Sequence, residues 1–317
     1  MQSKTKKSSI HSMGRFVFTA LFAFAFMVGF LPRANAQGLG WEGETGVFVT
    51  PLAYTQATED GKPRVTAAYH YLNAGSVIGD FHEASIEVGI GKRVEFGYTH
   101  EFHSFGSENN SLSTLWQNGF EIYNAKVNVI PEGFKNKWIP AVSIGGMART
   151  GVRNVGNFVK DSYRQYGGDP RRNSGRNDGD IYLVGSKKLP TGKTPLLISA
   201  GVRGTDAVLW GMGGNAPEWS AQAFGSVALV CPLPYKNTII FASEAAHQPH
   251  HPYMFDGENG TTKLNIPTTL TYAARVIPNW KYKVNFDVGV AQIAGKVANG
   301  VDLKARHQVG VQMSYAF

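Results

Sequence analysis

Along most of this chain, polar and apolar side chains alternate one by one. The last twelve residues show it most clearly. His307, Val309, Val311, Met313, Tyr315 and Phe317 share one face, and Arg306, Gln308, Gly310, Gln312, Ser314 and Ala316 the other. Successive side chains of a β-strand point to opposite faces, so a period of two predicts strands with one apolar and one polar side. The pattern recurs in twelve segments: 65–73, 84–90, 93–102, 120–130, 138–149, 180–189, 196–204, 218–230, 237–247, 266–276, 281–291 and 306–317. Most have the length of a tilted strand crossing a membrane, about 9–11 residues. No stretch after residue 36 is apolar for 18 residues, which excludes helical spans there.

The connections between these segments alternate between long and short. The short ones carry turn chemistry: Gly91-Lys92, Pro190-Thr191-Gly192, Pro232 with Pro234, and Pro278-Asn279. Such alternation predicts an all-β fold, a transmembrane up-and-down antiparallel β-barrel of about 12 strands with tight turns at one rim. An even strand number puts both termini at the short-turn rim. A soluble sandwich or lipocalin-like barrel, with the apolar face inward, has the same periodicity.

The N-terminus favours the membrane reading. Basic residues from Lys4 to Arg15 precede an apolar run, Phe16 to Leu31, and the small-x-small site Ala34-Asn35-Ala36. This predicts a cleaved signal peptide over 1–36 and export from the cytoplasm. A periplasmic N-terminal segment is then expected over 37–63 and the barrel over 64–317. Val47, Phe48 and Val49 suit either an extra short strand or a stretch tucked into the lumen, and the local glycines and prolines favour an irregular path.

Composition agrees. Glycine is abundant, with 37 residues, and charged residues make up only 17 %. Five of the 31 basic residues (Lys4, Lys6, Lys7, Arg15 and Arg33) lie before residue 37, where there is no acidic residue, so the net charge falls from +8 to +3 on cleavage. The basic balance belongs mostly to the leader and gives no support for nucleic-acid binding. The single Cys excludes an intrachain disulfide framework and a CxxC zinc site.

The ending Val309-Gly310-Val311-Gln312-Met313-Ser314-Tyr315-Ala316-Phe317 resembles the last strand of bacterial outer-membrane β-barrels. That resemblance implies that Tyr315 and Phe317 form the assembly signal read by the barrel-assembly machinery, and that outer-membrane lipid and lipopolysaccharide surround the protein. Separately, the run from Gly40 through Trp41, Glu42, Gly43, Glu44, Thr45, Gly46 and Val47 to Pro51 resembles the start of an uncharacterised proteobacterial family, called domain of unknown function 3034. That family implies no activity and no site residue.

Candidate chemistry is sparse. Thr191-Gly192-Lys193-Thr194 ends like a phosphate-binding loop, but Lys187 stands where the first glycine belongs and the segment joins two strands. His247, His250 and His251, and His100 with His103, are solvated loop and strand-end histidines by spacing, without a set metal geometry. No metal and no cofactor is expected. An outer-membrane lipid-modifying enzyme would need a base beside an outward nucleophile, and the strand of His307 offers no outward Ser.

The polar face is the more informative feature. By strand phase it places Glu95, Lys126, Arg149, Arg203, Glu244, Arg275, Lys283, Asp287 and Arg306 inside, as pore-lining candidates. Seven inward basic residues (with Lys188) against six acidic ones (with Asp180, Glu87 and Glu101) predict no ion selectivity. The long connection 150–179 carries Arg164, Arg171, Arg172 and Arg176, suited either to a basic constriction or to lipopolysaccharide phosphates. The leading expectation is a porin-like channel for passive diffusion of small polar solutes. A non-conducting structural or surface-binding barrel is the alternative, and a lipid-modifying enzyme the third.

Overall fold

The computed structural model describes residues 38–58, 60–108, 114–151, 177–192, 194–250, 252–256, 260–263, 265–298 and 301–317. The expected signal peptide and the loop candidates Arg164, Arg171, Arg172 and Arg176 lie outside the described residues.

Sixteen strands follow one another: β1 (Arg64–Asn73), β2 (Gly79–Ile90), β3 (Val94–Phe105), β4 (Phe120–Ile130), β5 (Ala141–Thr150), β6 (Asn177–Leu189), β7 (Leu196–Leu209), β8 (Gly213–Pro232), β9 (Thr238–Ala246), β10 (Pro252–Asp256), β11 (Gly260–Lys263), β12 (Thr269–Ile277), β13 (Val284–Gln292), β14 (Ala294–Ala298), β15 (Val301–Ala305) and β16 (Gln308–Ala316). Twelve of them form a closed antiparallel barrel in which sequence neighbours pair and β16 closes on β1. The closing register sets Thr66 opposite Ala316 and Tyr71 opposite Val311. The remaining strands make two hairpins, β10–β11 and β14–β15, in the long connections after β9 and β13.

The faces follow the sequence pattern. Ile86, Phe96, Tyr123, Ile144, Ile181, Val202, Trp219, Phe241, Tyr272 and Val288 are exposed on the outside, while Glu83, Thr99, Lys126, Arg149, Arg203 and Glu244 are buried inside. An apolar exterior around a polar interior is the arrangement of a membrane barrel and the reverse of a soluble one. Closure also leaves no unpaired strand edge, as hydrocarbon requires.

Two connections differ from expectation. The long loop expected over 205–217 is absorbed into the hairpin of β7 and β8, which runs on past a register shift at Thr205 and Ala207 to a turn at 210–212. The link from β1 to β2 shortens to 74–78, carrying the single-turn helix α1 (Gly75–Ile78), because β2 begins at Gly79. At this end an apolar cluster that includes Trp41, Phe81, Trp116, Leu209, Trp210 and Met212 is packed between the connections. Trp41 Nε1 donates to the Gly211 carbonyl at 3.0 Å and Trp116 Nε1 to that of Met212 at 2.7 Å.

Candidate functional site

The residues before β1 do not hang from the rim as a periplasmic segment, nor do they add a strand to the wall. Residues 38–58 hydrogen-bond to nine of the twelve barrel strands, from β1 round to β16, and only a segment inside the barrel can reach them all. This plug contains the run from Gly40 to Pro51 that carries the resemblance to the uncharacterised family. It is irregular, with isolated bridges Leu39 to Thr45 and Gly46 to Pro51. An irregular chain leaves its amides and carbonyls without ladder partners, and burial makes each unpaired group costly. The wall side chains supply those partners.

Glu244 on β9 is the main acceptor. It takes hydrogen bonds from the amides of Phe48, Val49 and Thr50 and from Thr50 Oγ1 at 2.6 Å. Glu95 on β3 accepts from the amides of Thr45 at 3.0 Å and Gln56 at 2.6 Å. Lys126 donates to the Thr45 carbonyl at 2.9 Å and Arg275 to that of Val47 at 2.5 Å. Lower in the chain, Ala53 is held by Ser186, Ser143 and Asn128. Tyr54 Oη donates to Glu132 at 2.7 Å, and burial, reinforced by that hydrogen bond, holds its phenol pKa well above the ordinary value.

The strongest attachment is electrostatic. Glu42 meets two guanidiniums, Arg149 on β5 and Arg203 on β7, which also pair with Asp180; Arg149 further binds Asp178. Arg203 stacks over Trp210, with 4.5 Å from guanidinium carbon to ring centroid. Elsewhere Lys126 pairs with Glu95 at 2.6 Å and Arg275 with Asp287 at 2.7 Å. Glycines let the plug approach the wall. A Cβ on Gly310 would lie 2.6 Å from Phe48 Cζ, so the ring fits only against bare backbone.

Sequence phase places Glu95, Lys126, Arg149, Arg203, Glu244, Arg275 and Asp287 inward, and the structure finds them there, buried or nearly so. Two candidates differ. Arg306 lies in the bend before β16, exposed, and pairs with Asp302 rather than facing the lumen. Lys283 precedes β13 and sits half-buried at the short-turn rim, beside Arg64. Lys188 is exposed at the same rim, over the Tyr54 ring.

The balance of charge therefore changes. Among the described residues the buried ionisable groups comprise ten carboxyl groups, Glu42 and Glu44 of the plug among them, against four basic side chains, with Arg275 partly buried as a fifth. Lys126, Arg149, Arg203 and Arg275 each have a carboxylate partner, whereas Glu44, Glu83, Glu87 and Glu101 form no ion pair among the described residues. Glu83 was legible, since the alternation of β2 extends back through Ser85 to Glu83 and Phe81. Burial, reinforced by the Glu42 carboxylate, pushes the Glu44 carboxyl up to about 8.

The histidines find individual partners. His100 meets Glu121 at 2.7 Å, and His103 and His250 contact the carbonyls of Ile78 and Ile266. Among the described residues no three potential ligands gather around a point that could hold a metal ion. His251 lies outside the described residues. Thr191 and Gly192 form part of the turn between β6 and β7. At the barrel seam the rings of Tyr315 and Phe317 meet edge to face at 4.8 Å, and the Phe317 amide donates to Val65.

No family profile and no curated protein matches this sequence. Solved barrels do. The KdgM porin covers 80 % of this chain with 99 % of its own length, at 9 % identity and a TM-score of 0.43. An outer membrane channel from Pseudomonas putida F1 covers 81 % with 96 % of its length, at 8 % and 0.42. LpxR from Salmonella typhimurium covers 79 % with 99 %, at 10 % and 0.45. Likenesses this weak assign no activity, and the fold rests on the strand pairing itself.

Proposed function

We propose that the chain, freed of residues 1–36, is a porin-like channel of the bacterial outer membrane, closed at rest by residues 38–58. It passes small polar solutes by diffusion when the plug leaves. The observation that carries this reading is the inner wall, whose charged side chains, Glu95, Lys126, Arg149, Arg203, Glu244 and Asp287 buried and Arg275 partly so, face a polar segment that belongs to none of the barrel strands. A purely structural barrel can fill its interior with side chains from its own strands. Excess carboxylates make cations the favoured solutes. Lipid and lipopolysaccharide surround the barrel, Tyr315 and Phe317 serve its assembly, and the guanidiniums of Arg164, Arg171, Arg172 and Arg176 suit either lipopolysaccharide phosphates or a basic constriction.

A second reading has its own support. The same plug contacts, if never released, make a non-conducting structural barrel. Single-channel recording in a planar bilayer, at two salt concentrations, separates the two. The chain from residue 37 and a version lacking residues 38–58 are compared, both shown to be folded by heat-modifiable mobility. Brief steps in the first and large steady steps in the second support the channel. Silence from both supports the structural barrel.

A further inference from the structure

The short-turn rim carries a charge excess that the lumen does not use. Its five turns, 91–93, 131–140, 190–195, 233–237 and 278–283, hold six exposed basic residues among those described: Lys92, Arg93, Lys135, Lys137, Lys236 and Lys281. One carboxylate stands among their described residues, Glu132, and it pairs with Lys187 at 3.1 Å. At the opposite rim two basic side chains are held in ion pairs, Lys304 with Glu108 and Arg306 with Asp302.

Backbone geometry supplies an independent observation. Lys92, Lys135 and Lys236 have φ values of 72°, 61° and 61°. Left-handed turn positions favour Gly or Asn, because a Cβ crowds the carbonyl there. Three such positions on one rim carry lysine, so the charge is present despite a conformational cost. The lysines also stand beside aromatics. Lys135 Nζ lies 5.3 Å from the Phe134 ring centroid and Lys137 Nζ 5.5 Å from that of Trp138. Trp138, Tyr235 and Trp280 are exposed on the same rim. Exposed Trp and Tyr settle at lipid headgroup level, which sets these ammonium groups beside the headgroup phosphates.

We propose that this rim is a docking collar for anionic phospholipid headgroups, in the leaflet that faces the short turns. Basic side chains next to a membrane surface attract anionic lipid in a salt-dependent way. A funnel for anionic solutes would instead set its charge around the bore, which is acidic. The inference rests on membrane insertion and not on conduction, so a silent barrel leaves it intact.

The test uses the processed protein in vesicles of phosphatidylcholine and phosphatidylglycerol, with one lipid brominated to quench tryptophan. The expected result is a preference for phosphatidylglycerol of roughly threefold or more at low salt, falling at 1 M salt. The triple variant Lys92→Gly, Lys135→Gly, Lys236→Gly relieves the left-handed backbone, so it melts no lower than the parent while its lipid preference drops towards one. The same three positions changed to Gln keep the side-chain bulk and lose the preference too. Equal quenching by both lipids in the parent, or an unchanged preference in the Gly and Gln variants, overturns the proposal.

Discussion

Arg149 Nε donates to Glu42 Oε1 at 2.9 Å across 107 positions of sequence. The contact joins the plug to the wall inside a buried network, where charge pairs are little screened by water. Removing Glu42 takes one carboxylate partner from both Arg149 and Arg203. Glu42→Ala should weaken plug docking by about 3 kcal/mol, with Asp178 and Asp180 still neutralising the arginines. Channel openings should then become roughly a hundredfold more frequent. Bilayer recording checks this, and an unchanged opening frequency would remove Glu42 as the latch.

Glu244 anchors the plug through backbone rather than charge. Glu244→Ala strands the amides of Phe48, Val49 and Thr50, at about 1–3 kcal/mol for each buried donor left unpaired. Hydrogen exchange followed by mass spectrometry should show faster exchange over residues 47–51, with the β12 and β13 amides unaffected. Uniform exchange across plug and barrel would mean that the two open together.

The fit of Phe48 against Gly310 makes a size test. Gly310→Ala puts a methyl where the ring lies, and Phe48 must move or the plug must leave. The variant should conduct more than the parent, and adding Phe48→Ala should restore the closed level. If the double variant conducts like the single one, the clash lies elsewhere on the wall.

Charge in the lumen sets a sign. Under a potassium chloride gradient the open channel should show a cation-selective reversal potential, reduced by Glu83→Gln with Glu101→Gln. Arg306→Gln should leave it unchanged, since Arg306 pairs with Asp302 outside the lumen. An anion-selective reversal potential would contradict the excess of buried carboxylates.

Acidity should act on the plug through Glu44. Its docked carboxyl titrates near 8, above the ordinary value of 4.5, so between these values the docked state holds a proton that the released state has given up. Docking stability is therefore full below about pH 4.5 and is lost as the pH rises towards 8. Openings should be more frequent at pH 8.5 than at pH 5, and Glu44→Gln should flatten the dependence. A steeper dependence in that variant would assign the titration to another group.

The sequence by itself determined what depends on near neighbours. Period-two alternation defined twelve strands, and it sorted Ile86 and Val202 from Lys126 and Arg203 because adjacent residues of a strand must face opposite ways. Turn residues such as Gly91 and Pro278 marked the short rim. Tertiary structure decided the rest. The end of β7 and the start of β8 read as loop, since Gly211, Gly213 and Gly214 interrupt the alternation that cross-strand pairing nonetheless continues. That residues 38–58 fill the lumen, and that Glu42 meets Arg149 and Arg203, followed from closure of the barrel. A closed wall brings together residues more than a hundred positions apart, and a buried irregular segment must then find its hydrogen bonds on whichever strands surround it. No local period carries that information. The structure replaced a count of seven basic against six acidic inward residues with an excess of buried carboxyl groups, Glu42, Glu44, Glu83 and Asp178 joining them and Lys188, Lys283 and Arg306 lying at the rims.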